Sequence, residues 1–177
     1  MRLENGATNI TGWTISDGSL GVDWQDAALG GASTGEVHDG SFAVDLCGSN
    51  PPGTFCSLST VFPTSIGGSY QLSFFAYTGN QLNAASVSVG SLVNQAFTGA
   101  GPTSGPPAIF TMYTYNFIAT SDSSTLTFQD TSSDGFGPVI DDVAVSAVPE
   151  PSSLALLAAG GLLMLRRRRQ KASLSVI

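Results

Sequence analysis

The chain has 177 residues, room for one domain and a short appendage. Only 11% of it is charged and the net charge is -7, where an ordinary globular protein carries about 25% charged residues. Its six Lys and Arg are Arg2, Arg166, Arg167, Arg168, Arg169 and Lys171, so residues 3–165 hold all thirteen acids and no strong cation; that excludes nucleic-acid binding by this stretch, which would rest on Lys and Arg neutralising phosphates.

Period-2 alternation begins early and recurs to about residue 147. Short strands are predicted at 12–15 and 19–24, then a stronger one at 41–46, where Phe42, Val44 and Leu46 share a face. A strand at 57–62 follows. Residues 69–77 set Tyr70, Leu72, Phe74 and Ala76 against Gln71, Ser73, Phe75 and Tyr77. Further strands are predicted at 85–89, 92–97, 112–119, 125–129 and 139–145, with Tyr113, Tyr115, Phe117 and Ala119 on one side of their strand. Turn signals separate them, among them Asp17-Gly18, Asp39-Gly40, Gly67-Gly68 and Ser133-Asp134-Gly135. Nine or ten short strands without helices between them predict an all-β, jelly-roll-like β-sandwich over residues 1–147. Two Gly/Pro-rich segments, 25–40 and 98–111, are too long for tight turns and are predicted as loops, where binding usually sits.

Cys47 and Cys56 bracket the loop C-G-S-N-P-P-G-T-F-C. Zinc would need four ligands, and the only histidine is His38. A local disulfide fits an exported protein, and two unpaired buried thiols are the alternative.

From Val148 the pattern changes. Val148-Pro149-Glu150-Pro151-Ser152-Ser153 leads into an apolar run from 154 to 165, closed by Arg166, Arg167, Arg168 and Arg169. A short hydrophobic helix is predicted there, and a cationic cluster of this kind favours the cytoplasmic side. Twelve apolar residues make about 18 Å of helix, short of the roughly 30 Å hydrocarbon core. This order and position resemble the PEP-CTERM sorting domain of Gram-negative bacteria. The resemblance covers residues 148–177 and implies processing by the membrane protease exosortase, with Pro149, Glu150 and Pro151 as the recognition motif and Arg166 to Arg169 as the stop. It also implies transient inner-membrane anchoring through the tail and a final place on the cell surface or in the extracellular matrix. Met1 to Gly6 has no apolar signal segment, so the expectation is a biological start further upstream.

The body is similar to choice-of-anchor and galactose-binding-like β-sandwich proteins. The residues that carry this are Leu3-Glu4-Asn5-Gly6, Gly12-Trp13-Thr14-Ile15, the run 39–46, the run 67–74, and Ile140-Asp141-Asp142-Val143-Ala144-Val145. That fold includes carbohydrate-binding modules, so the expected role is non-catalytic polysaccharide binding. Trp13, Trp24, Tyr77, Phe97 and Tyr113 are the aromatics available. Most are expected in the core, with Trp24 the best exposed candidate because it borders the first long loop.

A polysaccharide-degrading enzyme is the alternative, and a purely structural matrix protein is a third reading. His38, Asp39 and Ser41 lie too close in sequence to suggest a triad, and no G-x-S-x-G elbow is present. A glycosidase would need two facing carboxylates. Alternation also places Asp141 on the side of Val143 and Val145, where a carboxylate must be protonated, met by backbone N–H groups or neutralised by a metal. The resemblance implies a structural Ca²⁺ near the first and last strands, with Glu4 and Asp141 as ligands. The alternative is a bulge at Asp141-Asp142 that turns both carboxylates outward.

Overall fold

A computed structural model describes residues 2–3, 7, 10–17, 21–26, 37–48, 51–77, 83–98, 109–132 and 135–149. Among them are eleven strands: β1 (Arg2–Leu3), β2 (Trp13–Asp17), β3 (Val22–Asp26), β4 (Phe42–Asp45), β5 (Cys56–Pro63), β6 (Ser69–Tyr77), β7 (Ala84–Val89), β8 (Leu92–Thr98), β9 (Thr111–Ile118), β10 (Ser123–Asp130) and β11 (Val139–Ala147). They form a six-stranded sheet in the order β1-β3-β4-β11-β6-β9 and a five-stranded sheet in the order β2-β5-β10-β7-β8. The fold is all-β, two antiparallel sheets face to face, as the alternation predicts. The predicted tail helix, with Glu150, Pro151 and Arg166 to Arg169, lies outside the described residues, as do Glu4 and most of both long predicted loops. No helix among the described residues is long and apolar enough to cross a membrane.

Alternation builds the core directly. In β10, Ser124, Leu126, Phe128 and Asp130 are buried while Ser123 and Thr125 are exposed. In β6, Leu72, Phe74 and Ala76 are fully buried. Phe74 is the hub: its ring lies 4.9 Å from Phe97, 5.0 Å from Phe128 and 5.4 Å from Tyr113. Edge-to-face and offset contacts of this kind add to the burial of the rings themselves. The opposite face of the six-stranded sheet carries a second, smaller cluster. Ala43, Tyr77 and Val139 are buried there, with Val37 and Phe110 packed against them.

Two irregularities shape the strands around β4, β5 and β11. Ile140 and Val143 both pack into the main core, although residues three apart on a regular strand point to opposite faces. The alternation therefore slips by one between them, and Asp142 takes the left-handed conformation there, with φ 50°. That is a bulge. The second is the Cys47–Cys56 disulfide, which follows the end of β4 and begins β5 and so ties one sheet to the other. Both cysteines are fully buried, with Cα atoms 5.3 Å apart.

Candidate functional site

Strands β2, β3, β4 and β11 leave a groove of about 230 Å³ between the sheets. Trp13 and Leu58 line it from the five-stranded sheet, and Trp24, Phe42, Val44, Ile140 and Val143 from the six-stranded one. The register explains the grouping: Trp24 pairs with Val44 and Val44 with Ile140, so three core-side residues stand in a row across β3, β4 and β11. Phe42 opens β4 one step nearer the mouth, pairing with Asp26. Phe42 stays 49% exposed and meets Trp24 edge-on at 5.0 Å. Trp13 backs the opposite wall and stacks on Phe128 at 6.3 Å. Apolar walls with a few polar groups are the usual chemistry of a small-ligand site.

Asp141 and Asp142 supply the polar part of the lining. The bulge separates their roles. Instead of following Val143 and Val145 toward the core, Asp141 turns to the segment that covers the outer face. Its Oδ2 accepts the N–H groups of His38 at 2.8 Å and Asp39 at 3.3 Å, and its Oδ1 accepts the N–H of Asp142 at 2.8 Å. Three main-chain donors thus meet a carboxylate that is only 8% exposed, which answers the cost of burial without a strong cation. Asp142 remains partly exposed, and its carboxylate lies 2.7 Å from His38 Nδ1. The His38 ring stacks on Phe75 at 3.6 Å and meets Phe110 edge-on at 5.3 Å.

Of the aromatics singled out from sequence, Trp13 and Trp24 come together in the groove. Tyr77 and Phe97 are buried, and Tyr113 stacks on Phe74. Phe42 belongs to the mouth although its alternation with Val44 and Leu46 reads as core; its place as the first residue of β4 was the available signal. Of the metal pair read from sequence, Asp141 sits in this network and Glu4 falls outside the described residues. No cluster of three or more His, Cys, Asp or Glu able to hold a metal occurs among the described residues. Pro149, the first residue of the sorting motif, is exposed.

The fold and its tail define a class, a β-sandwich body that precedes a sorting motif. Residues 1–146 match the family described as "Protein of unknown function (DUF642)", and residues 147–169 match the PEP-CTERM protein-sorting motif. The chain belongs to the DUF642 family. The sorting motif indicates an exported protein processed at the cell envelope. Halomucin of Haloquadratum walsbyi is 31% identical over 154 residues, which is 84% of this chain but only 2% of that protein. Among solved structures, the K1 cleaved adhesin domain of Lys-gingipain from Porphyromonas gingivalis superposes with a TM-score of 0.58 at 15% identity, covering 78% of this chain and 92% of that one. TmCBM61, solved with beta-1,4-galactotriose, superposes with a TM-score of 0.51 at 15% identity, covering 83% and 98%. At such identities the likeness is one of fold.

Proposed function

We propose that this protein is handed by exosortase to the surface or extracellular matrix of a Gram-negative bacterium, where its sandwich binds a neutral polysaccharide in the aromatic groove. Before processing, the apolar run and the arginines of the tail hold it at the inner membrane. The observation that carries the binding reading is the half-exposed Trp24–Phe42 pair at the mouth of an apolar cleft. Aromatic faces stack on the C–H faces of sugar rings, and Trp13, Trp24 and Phe42 all line this groove. The same fold in TmCBM61 holds a galactotriose. Charge narrows the ligand: a uronate or sulfated chain would meet acids and find no Lys or Arg in residues 3–165.

The groove supports binding over hydrolysis. Its two acids are neighbours on one strand, and Asp141 is engaged by three N–H donors, whereas glycoside hydrolysis uses two carboxyl groups facing each other across the bond. Affinity electrophoresis of the full chain in mild detergent tests the reading, with galactan, xylan and glucan gels beside alginate and polygalacturonate. Retardation is expected in at least one neutral gel and in neither acidic one. Trp24→Ala should weaken that binding by about tenfold or more, on the order of 1.4 kcal/mol. Equal retardation of wild type and variant would remove the groove as the site.

A further inference from the structure

Nine of the eleven described residues that line the groove are apolar, and the other two are Asp141 and Asp142. Both carboxylates are engaged elsewhere. Phe74 is buried in the core, so Phe75, the next residue of β6, faces out of the sandwich. The His38 ring stacks on Phe75 at 3.6 Å, on that outer face. Asp142 meets the ring there at 2.7 Å, and Asp141 is held by the N–H groups of His38, Asp39 and Asp142. No Ser, Thr, Asn, Gln, Lys or Arg stands among the described lining residues.

The main chain of the walls is occupied as well. Residues 23–26 of β3 pair with 42–45 of β4, and residues 13–17 of β2 pair with 56–60 of β5. Apart from the indole N–H groups, which only donate, the side chains offer a ligand apolar contact and little else. A hydroxyl carried into such a cleft gives up its water and finds no acceptor, which costs affinity. A methyl group in the same place loses nothing and gains by burial.

We infer that the groove selects saccharide units that carry a methyl group, 6-deoxyhexoses or O-acetylated sugars, over their fully hydroxylated counterparts. This rests on the reading that the groove takes a neutral saccharide. In a 6-deoxyhexose the methyl replaces a hydroxymethyl group, and in an O-acetyl ester the hydroxyl proton itself is gone. Neither change adds charge, so both suit a body with thirteen acids and no Lys or Arg in residues 3–165. Val44, Ile140 and Val143 form the wall for the methyl. The remaining hydroxyls stay at the mouth, where Phe42 is half exposed and water can pair them. An apolar cleft discriminates against one added hydroxyl by about ten- to hundredfold.

The two tryptophans of the chain, Trp13 and Trp24, both line the groove, so indole emission reports its occupancy without a label. The full chain in mild detergent is titrated with L-rhamnose against L-mannose and with L-fucose against L-galactose. A third comparison sets acetylated xylo-oligosaccharides against the same preparation after mild alkaline deacetylation. Within each monosaccharide pair a single hydroxyl is the difference. At least one methyl-bearing member should shift the emission with a Kd about ten- to hundredfold below that of its counterpart. Equal or tighter binding of the hydroxylated member in every responding pair would overturn the preference and leave the saccharide reading standing. Silence from all the probes, beside gel retardation that Trp24→Ala abolishes, would do the same. Silence without Trp24-dependent retardation would sink the preference and the saccharide reading together. An emission shift with dodecanoate and with no saccharide would give the groove to an acyl chain instead, against both.

Discussion

The same two strands end in opposite ways. β2 begins at Trp13 and β4 at Phe42, both on the groove, whereas β2 ends at Asp17, paired with Cys56, and β4 ends at Asp45, two residues before Cys47. At the disulfide end Leu46, Cys47 and Cys56 are fully buried. A Cβ on Gly137 would stand 2.7 Å from the Cys47 nitrogen. At the groove end the aromatics are only half covered, and one of them is 49% exposed. Packing density is thus spent at one end of the strands and withheld at the other. Stability and ligand contact should then respond to different substitutions, which is open to direct attack.

The largest effect is expected from the crosslink. Replacing Cys47 and Cys56 together by Ala removes a bridge across nine residues. A loop of that size contributes about 2.5–3 kcal/mol in the chain-entropy model, and the two sheets lose a covalent tie. Melting of the full chain should fall by roughly 5–12 °C, while polysaccharide retardation measured well below that midpoint stays at the wild-type level. Loss of binding in a variant that is still folded would mean that the two ends are coupled.

Next comes Gly137→Ala. Backbone nitrogen and the Cβ atoms of Leu46 and Cys47 surround the missing Cβ at 2.7 to 3.2 Å, and main chain cannot swing aside as a long side chain would. Overpacking of this kind costs about 1–3 kcal/mol. Thermal melting with the disulfide intact, verified by thiol labelling, reads the effect. A melting point equal to wild type would show that this end is looser than its contacts imply.

The contrast between the ends was only half legible in the sequence. Strand positions were readable because burial on one face imposes period 2, and β6, β9 and β10 follow it residue by residue. The disulfide was readable as one of two options, since its partners flank a single short loop. The groove was not, because it depends on which strands become neighbours. Residues 13, 24, 42 and 140 meet through the order β3-β4-β11 and the facing edge at β2, and alternation carries no information on order. The bulge was hidden for a related reason. Asp is one of the few non-glycine residues that tolerate the left-handed conformation, so Asp141-Asp142 reads equally well as straight strand, and the straight reading aims Asp141 at the core.

The smallest stability effect and the sharpest contrast belong to Phe42→Ala. The ring contributes little to folding, being 49% exposed and touching Trp24 only edge-on at 5.0 Å. An aromatic pair of this type is worth about 0.5–1.5 kcal/mol, and the exposed half of the ring adds no burial, so a melting shift of about 1–4 °C is expected. Ligand contact should suffer more. Phe42 forms the outer lip of the groove and steadies the Trp24 indole on which a sugar ring would lie, so retardation in the neutral gel should weaken severalfold. Leu58→Ala offers the opposite pairing. That residue is 3% exposed on the groove floor and part of the main core, and a Leu→Ala change in such a place costs about 2–5 kcal/mol. Measured side by side, Phe42→Ala should lose binding with nearly wild-type melting, and Leu58→Ala should lose melting first. If Phe42→Ala instead melts as low as Leu58→Ala with its binding intact, Phe42 is a core residue that happens to reach solvent, and the groove mouth has no recognition role.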